Sequence, residues 1–388
     1  MDNIKEQLSF FADICANPRR QLDKALAEGK KAVGILPYFC PEELVYAGGM
    51  LPFGLWGGEL QTDESKRYFP AFVCSLLHTT LEMGIRGMLN GLSAVMIPAC
   101  CDSLKCMGAN WEYGVKDIPV IPVAYAQNRS LEAGVEFTRS QFQKIRLQLE
   151  KLAGHVIEDH EIAQAIDVYN RNRSTLLAFS GAAARHPQII TPAERSAVLK
   201  AGYFMDRAAH TEAVLSLLRA LEDIPEQPWD GFRIITTGII ADAPEILRIL
   251  EENHMAVIDD QVAHESVNFG YMTPVTDDPV LGMARRLSQI ENCSILFDPQ
   301  KKRGKALVER AKALNADGVI WIMTKFCDPE EFDYVPVKRM IDSAGIPLLT
   351  VESDQQMLDY GQARSAAEAF RERLEALRTG RVPERGGL

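Results

Sequence analysis

The 388-residue chain has no uncharged apolar run of about eighteen residues, so no membrane-spanning helix is expected. The N-terminal stretch MDNIKEQLSFFADICANPRRQ is charged and amphipathic and lacks the apolar centre of a signal peptide. The expected compartment is therefore the cytoplasm. Basic residues are in deficit: 42 Lys and Arg stand against 53 Asp and Glu, a net charge of −11. That balance argues against a nucleic-acid partner and leaves room only for a small anion in a local basic pocket. No P-loop and no G-x-G-x-x-G occurs, so a nucleotide site has no direct support. No C-x-x-C pair occurs either, and no His follows the cysteines at a supporting interval, which disfavours structural zinc. Internal repeats and low-complexity segments are absent.

Eight cysteines are present. Disulfides are rare in the cytoplasm, so these are free thiols, redox groups or metal ligands. Cys15, Cys293 and Cys40 read as small buried core residues. Apolar residues make up 47% of the chain, enough for sizeable cores, and the length suggests two domains of ordinary size.

The first ~125 residues alternate short apolar runs with helical patterns. Strands are expected at 31–36, 51–56, 94–98 and 118–123, with helices at 41–49, 75–89 and 105–113. Long helical patterns follow at 133–153, 160–184 and 192–221. A second alternation begins after Pro225-Glu226-Gln227-Pro228. Its expected strands are 233–237, 256–259, 294–297, 318–323 and 347–351, with helices at 244–253, 279–290, 305–315, 330–344 and 361–378. This pattern implies parallel sheets covered on both faces. The expected fold class is α/β: two doubly wound parallel-sheet domains with additional linking helices, residues 1–228 and 229–388.

Ligands of such sheets sit beyond the carboxyl ends of strands. Cys101, within the cysteine-dense turn Cys100-Cys101-Asp102-Ser103-Leu104-Lys105-Cys106, follows an expected strand, and so does Cys327. Cys74 precedes an expected helix, whose amides favour a thiolate. Three thiolates from separate loops suit an iron–sulfur cluster lying between the units, although dispersed cysteines are also common in cores. The turn from Thr236 to Asp242 has the position of a phosphate cradle, such as a flavin's; the alternative is a tight turn with Asp242 as helix N-cap. Glu43 faces either a ligand or the dipole of its own helix. Asp259-Asp260 with His264-Glu265-Ser266, and Asp354-Gln355-Gln356, read either as polar active-site edges or as ordinary loops.

Several stretches are similar to one family: YFCPEELVYAGGMLPFGLWGG, CCDSLKCMGANW, AGYFMDRAAHT, TGIIADAPEILRILEENHMAVIDDQVAHES, FDPQKKRG, KFCDPEEFDY and GIPLLTVESDQQM. On these, spread in order over nearly the whole chain, it resembles the 2-hydroxyacyl-CoA dehydratases, a family that also contains the benzoyl-CoA reductases. Within the family it resembles the smaller, β-type subunits. The resemblance implies two flavodoxin-like domains around a [4Fe–4S] cluster held by Cys74, Cys101 and Cys327, with an exogenous group, Cys106 or Cys100 as the candidate fourth ligand. It implies a homologous α subunit as heterodimer partner and an ATP-dependent [4Fe–4S] activator protein. The implied reaction is removal of water from an (R)-2-hydroxyacyl-CoA, 2-hydroxyglutaryl-CoA being the expected substrate. One-electron reduction of the thioester carbonyl to a ketyl radical lets the hydroxyl leave and acidifies the β-proton. A β-type subunit would relay the electron, which leaves Glu43, His264 and Glu265 as candidate catalytic groups without an assigned step. FMN or riboflavin is a further cofactor candidate. Where a basic residue is expected after His-Glu-Ser, the chain has Val267-Asn268-Phe269, which leaves open an acyl group other than hydroxyglutaryl. The rival readings are a benzoyl-CoA-reductase-type subunit and a flavin-binding electron-transfer protein.

Overall fold

The computed structural model describes residues 2–380. Two helices, α1 (Asp2–Ala16) and α2 (Pro18–Ala27), precede an alternating unit. That unit runs β1 (Ala32–Ile35), α3 (Glu42–Ala47), β2 (Leu51–Gly54), α4 (Ser75–Ile85), β3 (Ala94–Pro98), α5 (Asp102–Gly114) and β4 (Val120–Val123). Four helices follow: α6 (Glu132–Ala153), α7 (Asp159–Arg185), α8 (Pro192–Ala201) and α9 (Arg207–Glu222). The second alternation opens with β5 (Phe232–Gly238), α10 (Pro244–Glu252), β6 (Met255–Val262), α11 (Ser266–Phe269) and α12 (Pro279–Gln289). It closes with α13 (Lys302–Ala313), β7 (Gly318–Thr324), α14 (Asp328–Ser343), β8 (Leu348–Ser353) and α15 (Gly361–Arg378).

Each alternation forms a four-stranded, all-parallel sheet, ordered β2-β1-β3-β4 and β6-β5-β7-β8. The fold is thus α/β with two flavodoxin-like units. Strands β3 (AVMIP) and β7 (GVIWIMT) are buried along their whole length, as strands covered by helices on both faces must be. In both sheets the connections run to opposite sides of the first strand. The order therefore reverses between β1 and β3, and again between β5 and β7, which are the positions where such sheets leave a crevice.

Two expectations are corrected. The expected helix over 192–221 is two helices, because Gly202 to Met205 leave the helix and the Asp206 carboxylate restarts it, accepting from the amides of Ala208 and Ala209 (both 3.1 Å). The expected strand at 294–297 is a turn. Its Phe297 carbonyl accepts from the Arg129 guanidinium (2.7 Å), which also donates to Ile290 O, rather than from a ladder. The chain between β6 and α13 crosses back to the first sheet, where Val280, Met283, Leu287, Cys293 and Leu296 share a core with Val33, Met96 and Ile121.

The carboxyl edges of the two sheets face each other across a crevice. Gln355, after β8, donates from Nε2 to Trp56 O (2.7 Å), and its Oε1 accepts from Thr79 Oγ1 (2.6 Å). Its amide donates to Ser75 Oγ (2.9 Å). Trp56, beyond β2, donates from its indole nitrogen to Asp242 Oδ2, beyond β5 (2.5 Å).

Candidate metal centre

Cys74, Cys101 and Cys327 occupy equivalent local positions: each is the N-cap of a helix, α4, α5 and α14 respectively. Backbone amides at a helix start are unpaired and carry partial positive charge, so all three sulfurs sit where a thiolate, or a sulfide beyond it, is favoured. At Cys101 this contact is made already, the Leu104 amide donating to Sγ (3.4 Å). Cys101 and Cys327 follow β3 and β7, one at each switch point of the two sheets. Phe326 holds φ at +61°, the turn that brings Cys327 from strand to helix.

The electrostatics link the three. Burial, with the Cys101 charge adding to it, pushes the Cys74 thiol up to about 12. Burial raises Cys327 well above the ordinary thiol range, with Glu330, Cys74 and Cys101 adding to it. Cys101 is raised by burial against the pull of the Leu104 and Ser103 amides. Three thiolates that repel one another in a half-buried crevice need a cationic centre to ionise together. Among the described residues, no three His, Cys, Asp or Glu side chains converge closely enough for a single metal ion. Thiols carried on three separate helix starts suit a larger, polynuclear centre, and an all-sulfur donor set suits iron–sulfur chemistry. A further fit is Tyr38: its hydroxyl is buried, has no hydrogen-bond partner and lies within the field of Cys74 and Cys327. It is placed to donate to a group held by those sulfurs. Only burial gives this tyrosine its orphaned hydroxyl, and no local pattern in YFCPEEL announces it.

The remaining cysteines divide. Cys106 is exposed on α5, and its place as fourth ligand has no contact to argue for it. Cys100 packs against the cores beside Cys101, and burial followed by the Cys101 and Cys293 charges raises its thiol. Cys40 and Cys293 are buried, and half-buried Cys15 donates to Ala197 O (3.3 Å).

Glu43, His264 and Glu265 lie in a separate polar region. Glu43 and His264 line a void of about 30 Å³ with Arg173, Arg207 and Arg286. Burial alone would raise the Glu43 carboxyl, but Arg173, bound at 2.5 Å, and Arg286 hold it below its usual value. Glu265 accepts from Arg195 Nη1 and Asp260 from Arg195 Nη2, each at 2.5 Å; burial raises the Glu265 carboxyl against that pairing. His264 meets Ile239 O through Nδ1 (3.2 Å), and its Nε2 has no hydrogen-bond partner, Glu265 Oε1 lying 3.6 Å away. Asp242 is not an N-cap: Ala243 takes that position, while the Asp242 carboxylate binds Lys200 Nζ (2.6 Å) and the Trp56 indole. An acid so placed disfavours a phosphate in that turn. Asp259, outside the void, pairs with Arg310.

Comparison with known proteins identifies the family. A family profile described as 2-hydroxyglutaryl-CoA dehydratase, D-component, matches residues 37–374. The chain is 46% identical over 375 residues to the (R)-phenyllactyl-CoA dehydratase beta subunit of Clostridium sporogenes, covering 96% of this chain and all of the relative. It is 38% identical over 377 residues to the beta subunit of (R)-2-hydroxyglutaryl-CoA dehydratase from Acidaminococcus fermentans, with the same coverage. A benzoyl-CoA reductase subunit from Thauera aromatica is more distant, at 24% identity over 336 residues, 84% of this chain and 86% of the relative. A profile spanning most of the chain and full-length relatives at these identities establish that this protein belongs to the 2-hydroxyglutaryl-CoA dehydratase D-component family.

Proposed function

We propose that this chain is the β-type subunit of a 2-hydroxyacyl-CoA dehydratase and that Cys74, Cys101 and Cys327 hold a [4Fe–4S] cluster. The observation that carries the reading is three thiols, remote in sequence, each on a helix start at the facing edges of two parallel sheets. Such a cluster supplies one-electron chemistry at low potential. The chain's own contribution is position. Helix-start amides stabilise the thiolates, the Tyr38 hydroxyl offers a hydrogen bond, and the Gln355 bridge fixes the width of the crevice. The two units proposed, 1–228 and 229–388, supply two thiols and one respectively.

The names of the full-length relatives, each a beta subunit, support an assembly with a second subunit; a homologous partner and a separate energy-coupled electron donor belong to this reading. Free thiols and a reducing cluster fit a cytoplasmic setting. The higher identity to dehydratase subunits than to the benzoyl-CoA reductase subunit favours water removal over ring reduction. Anaerobic copurification tests the reading. A homologous second chain, iron and acid-labile sulfide arriving together support it; a colourless complex after anaerobic reconstitution ends it.

A further inference from the structure

The void beside Glu43 is lined by more positive than negative charge. Three guanidiniums face two carboxylates there: Arg173 on α7, Arg207 on α9 and Arg286 on α12, against Glu42 and Glu43 on α3. Arg173 is 6% exposed, and Arg207 and Arg286 are each 7% exposed. Two of the three have an acidic partner. Arg173 donates to Glu43 Oε1 and Arg207 to Glu42 Oε2, each at 2.5 Å. Arg286 has none. Its Nε donates to Tyr271 O (2.9 Å), and its Nη2 donates to Asn268 O and to Asn268 Oδ1 (2.9 Å for the latter). All three acceptors are neutral. Arg286 Nη1 has no acceptor among the described residues. Unlike Arg207 Nε and His264 Nε2, which are closed off, Nη1 keeps accessible surface, and its side chain lines the void.

Nothing nearby removes the surplus. His264, also on the wall, can only add to it. The Tyr169 and Tyr203 hydroxyls are held neutral, because burial raises both. Asp260 and Glu265 do not line the void, and they share Arg195 between them. Burial, with the Arg173 charge adding to it, pulls the Arg286 guanidinium down to about 9 against the opposing effect of Glu43 and Glu42. It remains a cation at neutral pH, and a buried cation without a counter-charge is strongly unfavourable.

Size selects among counter-charges. A water needs about 10–15 Å³ of such space, so about 30 Å³ takes roughly two waters or one ion somewhat larger than water. A phosphate or an acyl carboxylate does not fit. Two waters would fill the void and leave its charge as it is, whereas one halide would do both.

We propose that this void is a binding site for one small monovalent anion of halide size, held by the Arg286 guanidinium in the field of Arg173 and Arg207. The anion would tie α3 of the first alternation and the linking helices α7 and α9 to α12 of the second. The assignment uses neither the cluster nor the dehydratase reaction.

The test uses the complete, anaerobically purified complex in gluconate buffer, titrated with chloride and followed by chloride NMR line width. One saturable component per copy of this chain is expected, and bromide displaces it. Arg286→Gln, which keeps a polar side chain of similar reach without the charge, weakens that component at least tenfold, the scale of one charge-assisted hydrogen bond. A second readout needs no variant. Crystals of the parental complex grown in bromide are expected to show one anomalous peak in the void, within hydrogen-bond distance of Arg286. Absence of that peak, or a chloride component of unchanged affinity in Arg286→Gln, overturns the proposal. A bromide peak without any saturable chloride response in solution, which is binding at crystal concentration only, overturns it as well.

Discussion

At the scale of single residues, the chain spends its buried charges on holding elements together. Arg195, on α8, bridges Asp260 and Glu265 across the second sheet's edge, and Arg173, on α7, holds Glu43. Removing one partner of such a group leaves an uncompensated buried charge and costs about 3–5 kcal/mol. Arg195→Met is accordingly expected to lower unfolding free energy by that amount in denaturant titration; a loss below ~1 kcal/mol would show that the ion group is not structural. These partners explain which residues were legible. Glu43 and Glu265 stand beside glycines and acids in sequence and look like ligand-facing groups. Their counter-ions lie 130 and 70 positions away, on helices whose packing no local pattern reveals. Cys101 and Cys327 were legible because a thiol just beyond an apolar strand has only one place to go in a doubly wound sheet.

At the scale of elements, helices that link the two sheets carry a pH sensitivity. His210, on α9, is buried with Nε2 on Val198 O (2.9 Å) and Nδ1 on Asn172 Nδ2 (3.0 Å), so the ring is neutral and donates from Nε2. Burial, with Arg207 beside it, pushes this histidine from 6.5 down to about 3. In the unfolded chain it takes up a proton near 6.5, whereas in the fold it does so only near 3, so stability falls as pH drops through that window. Glu43, held low in the fold, subtracts further only below about 4.5. The part of the thermal stability that His210 contributes is therefore expected to be lost from about pH 6.5 downward, and His210→Gln to remove that part of the slope between 6.5 and 4.5. An unchanged slope in that variant would contradict the assignment. Elements also show why patterns misled. The helical periodicity over 192–221 runs through a break that Asp206 caps, and the apolar run 294–297 buries into a neighbouring core without pairing as a strand.

At the scale of the whole molecule, the facing of two sheet edges makes the site, and Gln355 maintains it. Its side chain and amide span to Trp56, Ser75 and Thr79, and Gly57 (φ +66°) leaves it room: a Cβ there would lie 2.4 Å from Gln355 Oε1 and 2.3 Å from Thr79 Oγ1. Gln355→Ala keeps all three thiols but is expected to release iron to a chelator several-fold faster, because the crevice loses bonds worth roughly 1 kcal/mol each. Release at the parental rate would show that the bridge does not set the crevice. That the two units meet edge to edge was implied by the cysteines beyond the strand ends and by the family resemblance; composition and periodicity describe each sheet separately.

The most direct measurement is iron and acid-labile sulfide per complex, with Cys74→Ala, Cys101→Ala and Cys327→Ala compared with Cys106→Ser. The account predicts that each alanine variant loses about four irons and four sulfides, the content of one cluster, with the second subunit still bound. Cys106→Ser, altered at an exposed position, retains the full count. A complex that keeps all its iron when Cys74, Cys101 and Cys327 are replaced together would contradict it.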